Sequence, residues 1–158
     1  MKLTVSFSRA GLVIFALPML INIAYVLFPP AEKAETTGTV TRWVERVEQV
    51  SRMAYLLAVV LLVSCEPLEP RSVWLYLAAC FLILYYAVWI RYFAGGRKTE
   101  LLRRAFLFVP LPLAVFPVLY FLCAAVWLHN LPAVGSMAVF GAAHIMVSLQ
   151  SFRKEGST

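Results

Sequence analysis

Apolar residues fall along this chain in five long runs, at 10–28, 46–65, 73–92, 105–128 and 133–152, separated by short polar or proline-rich breaks. Each run approaches the roughly 20 residues that a helix needs to cross a bilayer. The pattern predicts an all-α fold: a polytopic integral membrane bundle of five transmembrane helices forming a single transmembrane domain over 1–158. The breaks carry turn chemistry. Pro29-Pro30 closes the first run, Glu66-Pro67-Leu68-Glu69-Pro70 separates the second from the third, and Gly95-Gly96 ends the third. His129-Asn130-Leu131-Pro132 makes a tight hairpin between the last two runs, and Thr99 ahead of Glu100 reads as the N-cap of the fourth helix.

The fourth run contains Pro110, Pro112 and Pro117. Each proline removes a backbone donor and clashes with the preceding turn. The expectation is a fourth helix broken by its prolines, whose freed carbonyls need partners from neighbouring helices, polar side chains or water. It is expected to pack against the first and fifth helices.

The second run is short. Its purely apolar part, 53–64, would rise only about 18 Å against a hydrocarbon core of about 30 Å, so the helix should include the segment before it. In that segment Val40, Trp43, Val44, Val47 and Val50 recur at helical spacing, with Arg42, Glu45, Glu48, Gln49 and Arg52 on other faces. Two readings follow. The segment is an amphipathic surface helix with a solvated Glu48–Arg52 pair, or the pair enters the inner half of the bilayer and lines a polar cavity.

Charge orients the bundle. Eleven basic residues (Lys33, Arg42, Arg46, Arg52, Arg91, Arg97, Lys98, Arg103, Arg104, Arg153 and Lys154) fall on one side, against Lys2, Arg9 and Arg71 on the other. The excess assigns an outside N-terminus and a cytoplasmic C-terminus. Trp43, Trp74, Trp89 and Trp127 read as interfacial belt residues. The same distribution accounts for the net charge of +6, which sits at span ends rather than on one face, so no nucleic-acid partner is expected.

Composition narrows the class further. Only 14% of residues are charged, against roughly 25% in soluble domains, and 62% are hydrophobic. The N-terminal run reads as an uncleaved span rather than a signal peptide, because it ends in Pro29-Pro30 without a small-residue cleavage site. Cys65, Cys80 and Cys123 have no metal-ligand spacing, and Cys80 and Cys123 read as small core residues. No cofactor or metal motif is present.

Ionisable and polar groups inside the spans are the functional candidates. His144 shares a helix face with Gly141, Ser148 and Ser151. It either serves a ligand or donates to a carbonyl freed by the prolines of the fourth run. Asn22 lies on a face with Pro18 and Tyr25, as ligand contact or interhelical glue. Tyr85, Trp89 and Tyr92 stack along the third run, with Tyr86 alongside, as an aromatic cage or a packed face. Tyr120 follows Pro117 by three residues and can turn its hydroxyl toward the unwound segment. Gly135, Ala138 and Ala142 suit close helix packing, inside the fold or in a homodimer. On the outer side Cys65, Glu66 and His129 suggest nucleophilic chemistry only if the two loops meet.

The expected function is binding, with passage across the membrane as its extension, of a small apolar or amphipathic molecule in a pocket lined by Asn22, Arg52, Tyr85, Tyr120, His144 and Ser148. The partners are then the lipid bilayer and that small molecule. The alternatives are an accessory subunit held to a membrane-protein partner, and an intramembrane enzyme acting on lipid through His144 or the outer Cys65/His129 group.

Overall fold

Residues 2–30 and 42–155 are described by the computed structural model, with side chains throughout except at Arg103 and 151–155. Lys33, Val40 and the side chains of Ser151, Arg153 and Lys154 therefore lie outside the described residues. The described chain is mostly helical, in the order β1 (Leu3–Val5), α1 (Arg9–Leu27), α2 (Arg42–Leu61), β2 (Leu62–Ser64), α3 (Val73–Ala94), α4 (Thr99–Arg103), α5 (Pro112–Trp127) and α6 (Leu131–Glu155). Three helices are long and apolar enough to cross a membrane: α1, α3 and the Leu131–Gln150 part of α6. Helix α5 is as apolar but has 16 residues, and α2 carries charges through its first half.

Helix α1 starts at Ser8, whose hydroxyl accepts the Gly11 amide at 2.9 Å. Pro18 sits inside the helix and cannot donate to the Ile14 carbonyl one turn back. The buried Tyr120 hydroxyl of α5 supplies the missing donor at 2.8 Å. Tyr86 of α3 likewise donates to the Leu17 carbonyl at 2.6 Å. The expected partner for Tyr120 was the segment around Pro117. The hydroxyl instead serves the proline of a different helix, because that carbonyl lies across the packed interface.

The second helix includes the charged segment, as its short apolar part required, but it stops at Leu61 rather than continuing to Cys65. Residues 62–64 turn into β2 and pair antiparallel with β1 in the register Leu3↔Ser64, Thr4↔Val63 and Val5↔Leu62. Pairing extends to either side: the Ser8 amide donates to Val60 at 2.8 Å and the Cys65 amide to Lys2 at 3.1 Å. Asn130 makes the change of direction tenable. It is 1% exposed, and its side-chain amide donates to the carbonyls of Ala58 (2.8 Å) and Leu62 (2.9 Å) while its oxygen accepts the Ala133 amide at the start of α6. One side chain thus caps α6 and satisfies the carbonyls left at the end of α2. Asn130→Asp retains the cap but loses both donors. It is expected to cost about 1–3 kcal/mol, read as a lower melting temperature in detergent; unchanged melting would show the clasp to be dispensable.

The fourth run is where the sequence reading needs most correction. No helix runs through 105–128. Helix α4 is five residues long, with Lys98 at its N-cap position and no side-chain cap, so Thr99 is its first residue rather than its cap. Residues 104–111 form a turn in which Phe106 pairs with Val109 and both Leu107 and Phe108 take positive φ. Arg91, in the last turn of α3, holds this turn. Its guanidinium donates to the carbonyls of Leu101, Arg104 and Ala105 and lies 5.2 Å from the centre of the Phe106 ring. Pro110 precedes the helix and Pro112 occupies its first turn, where a missing N–H costs nothing. Pro117 is accommodated inside an otherwise continuous α5. Two of the three prolines therefore delay the helix rather than break it. Helix α5 packs mainly against α3 and α6, and only lightly against α1.

Two apolar clusters hold the helices together. One gathers Ile14, Tyr55, Val59, Phe121, Ala124 and Met137, and the other Tyr85, Val88, Trp89, Tyr92 and Phe116. Trp89 is 5% exposed, so it is a core residue and not a belt residue. Cys80 is exposed on the outer face of α3, whereas Cys123 is buried as expected. Outward faces remain apolar, with Leu20, Ile23, Ile83, Ile90, Val139 and Met146 all exposed. Gly135, Ala138 and Ala142 belong to that outer surface and make no internal packing seam. The glycine of α6 that faces a neighbour is Gly141, where an added Cβ would lie 2.5 Å from Val118 Cγ1.

Candidate functional site

Helices α1 and α2 touch where they pass at Gly11 and Val59, and further along both line a cavity of about 660 Å³. Every helix contributes to its lining. Phe15, Pro18, Pro117, Phe121, Met137 and Phe140 supply apolar surface, and Pro18 and Pro117 bring both in-helix prolines to the same space. A volume of this size falls within the range of small-molecule sites.

Polar groups sit on two walls. On the α1–α3 side, the Tyr85 hydroxyl donates to Asn22 Oδ1 at 2.7 Å, beside Trp89 and Tyr25, whose ring centroids are 5.2 Å apart. The Asn22 amide reaches only the Met19 sulfur, at 3.9 Å. On the α2–α6 side, the nearly buried Glu48 carboxylate holds two partners on one oxygen: Arg52 Nη2 at 2.7 Å and His144 Nδ1 at 3.0 Å. Phe140 lies beneath both, stacked on the imidazole at 14° and 5.1 Å, with the Arg52 guanidinium 5.3 Å from its ring centre.

This arrangement orients the imidazole. In the tautomer protonated at Nδ1 the imidazole donates a hydrogen bond to the Glu48 carboxylate, which leaves the lone pair of the neutral ring on Nε2. Ser148 completes the α6 wall, but its hydroxyl donates to the His144 carbonyl at 2.8 Å. Its oxygen remains an acceptor, and its proton is committed to its own helix.

Five of the six residues expected from sequence line this cavity together: Asn22, Arg52, Tyr85, His144 and Ser148. Tyr120 does not; it is spent on the Ile14 carbonyl. His144 meets the Glu48 carboxylate of α2 rather than a carbonyl freed by the prolines of the fourth run. The sequence reading treated Glu48 only as a partner of Arg52 and passed over Phe140. Phe140 was accessible from its i,i+4 spacing to His144, whereas the Glu48–His144 contact joins residues 96 apart, a separation no periodicity encodes.

The loops that hold Glu66 and His129 also meet. His129 Nε2 lies 3.7 Å from Glu66 Oε2, and the Trp127 indole N–H donates to the Glu69 carbonyl at 2.8 Å. Cys65 is exposed beside them, with its backbone amide on Lys2. Among the described residues no three side chains of His, Cys, Asp or Glu come together as a metal site. Compared with known proteins, the chain matches no family model, no curated protein and no solved structure.

Proposed function

We propose that this chain is an integral membrane protein of five transmembrane helices, α1, α2, α3, α5 and α6, which binds a small amphipathic molecule in the cavity between them. The single observation that carries the reading is the cavity itself: apolar walls of about 660 Å³ interrupted by Asn22, Tyr85, Arg52 and His144. Soluble proteins seldom leave broad contiguous apolar surface exposed, and here the outer faces of α1, α3 and α6 are apolar. Helix α2, with charges in its first half, fits a span whose Glu48–Arg52 pair faces protein and cavity rather than lipid. The basic excess at the end holding Arg42, Arg46, Arg91, Arg97, Lys98 and Arg104 favours a cytoplasmic side there, with the N-terminus outside. Prolines inside two cavity-lining helices offer points of bending for passage of the bound molecule.

Cysteine accessibility tests the reading. In protein whose native cysteines are replaced, Ser148→Cys is expected to react with a small water-soluble thiol reagent, and co-purifying small molecules are expected to slow that reaction. Complete protection of position 148 in well-folded, ligand-stripped protein would sink the proposal. A second reading, an accessory subunit, draws on the exposed small residues Gly135, Ala138 and Ala142 of α6, which suit close approach of another helix. A stoichiometric protein partner in mild detergent, with no retained small molecule, would favour it.

A further inference from the structure

From the charge layout of the cavity we infer that its ligand carries one acidic head group, read by Arg52, on an apolar body. The inference rests on the binding function proposed above and specifies its ligand class. Among the described residues, Arg52 is the one formally charged side chain lining the cavity. Glu48 is not part of the lining: it stands behind Arg52 and His144, with a side-chain exposure of 10%, and the two occupy one of its oxygens. The remaining walls add no charge of either sign. Helices α1, α3 and α4 contribute Asn22, Tyr25, Tyr85 and Thr99, and α5 contributes apolar side chains.

An apolar cavity with one cation and, among the described residues, no facing carboxylate favours an anion over a cation, even though Tyr25, Tyr85 and Trp89 would suit a cationic head in shape. Arg52 is equipped for a second acceptor. Its side chain is 47% exposed, Nη2 donates to Glu48, and a guanidinium carries further N–H donors in a fixed fork. Nη2 can stay on Glu48, which also keeps His144 Nδ1 at 3.0 Å, while the other guanidinium N–H groups turn to a ligand. At about 30 Å³ per liquid-like heavy group, the cavity holds on the order of twenty non-hydrogen atoms, enough for a medium-length acyl chain and its head.

Either a free carboxylic acid or an anionic lipid of the surrounding bilayer supplies this chemistry. Both can be tested in phosphatidylcholine nanodiscs. Terminally brominated dodecanoate, dodecanol and dodecyltrimethylammonium are titrated against the full chain, and quenching that disappears in Trp89→Phe reports occupation of the cavity. The acid is expected to bind about tenfold or more tighter than the alcohol, and the cation weakest. Arg52→Gln is expected to erase the preference for acid over alcohol, and Arg52→Lys to keep part of it. The comparison of head groups on the native chain needs no Arg52 variant to fold; Trp89→Phe serves only to subtract the signal of the other tryptophans.

Equal quenching by acid and alcohol, or stronger quenching by the cation, overturns the acidic head and leaves cavity binding standing. Absence of Trp89 quenching by all three in folded protein overturns the binding function itself. Phosphatidylglycerol added to the discs separates the sources: competition with dodecanoate supports a bilayer lipid as occupant, and undiminished dodecanoate binding supports a free acid.

Discussion

Gly11→Ala is expected to be among the most damaging single changes in this protein. A Cβ at position 11 would lie 1.9 Å from the Val59 carbonyl oxygen and 2.8 Å from its carbon. Both are backbone atoms of α2, so no side-chain rotation relieves the clash. Helix α1 has to move away, and the pairs that dock its start, Ser8 to Val60 at 2.8 Å and Ser6 to Leu61 at 2.9 Å, move with it. Overpacking of an ordinary core costs about 1–3 kcal/mol, and loss of the adjoining hydrogen bonds adds to that here. The cavity loses the fixed position of one wall, so retention of the proposed ligand should fall together with the melting temperature and the monodisperse elution in detergent. Gly135→Ala is the matched control. Nothing lies within 4 Å of a Cβ there, and the better helix propensity of alanine should leave stability unchanged or slightly raised. Equal melting of Gly11→Ala and the native chain would show that the two helices do not pass this closely.

Tyr120→Phe is expected to cost about 1–3 kcal/mol, because it leaves the Ile14 carbonyl without a donor in an apolar interior. That cost belongs to Pro18 as much as to Tyr120. With Pro18→Ala, the helix's own amide at position 18 can reach Ile14, and removal of the hydroxyl should then be far less damaging. The double-mutant cycle is therefore expected to show a coupling of about 1 kcal/mol or more between residues on different helices. A Tyr120→Phe penalty that is the same in both backgrounds would mean that the hydroxyl does not stand in for the missing amide. The measurement is equilibrium unfolding of the four variants in one detergent.

These two predictions mark the limit of what could be read along the chain. Helices α1, α3 and α6 were legible to within a few residues, since their apolar runs end at proline, glycine and turn residues whose backbone preferences are local. The extension of α2 into its charged half was legible too, from the mismatch between 53–64 and the thickness of a bilayer. The hairpin at His129–Pro132 followed from turn chemistry. The β1–β2 pair was not legible, because three-residue strands carry almost no periodicity and each exists only where the other is present. The late start of α5 was hidden for a related reason. Hydrophobicity continues smoothly from Ala105 to Leu128, Pro110 and Pro112 hold the helix back to 112, and Arg91 takes up carbonyls of the preceding turn from another element.

The candidate site divides in the same way. Sequence alone marked Asn22, Arg52, Tyr85, His144 and Ser148, because a polar group in an apolar span is costly unless a partner or cavity receives it. That argument identifies which residues need partners and is silent on which partners they find. Only the tertiary structure decided that His144 meets Glu48, that Tyr120 is consumed by the Ile14 carbonyl, and that the other five face one cavity. Helical periodicity reports the face on which a side chain lies. Pairing across helices depends on crossing points such as Gly11 against Val59, which are set by shape and are written nowhere in the local pattern.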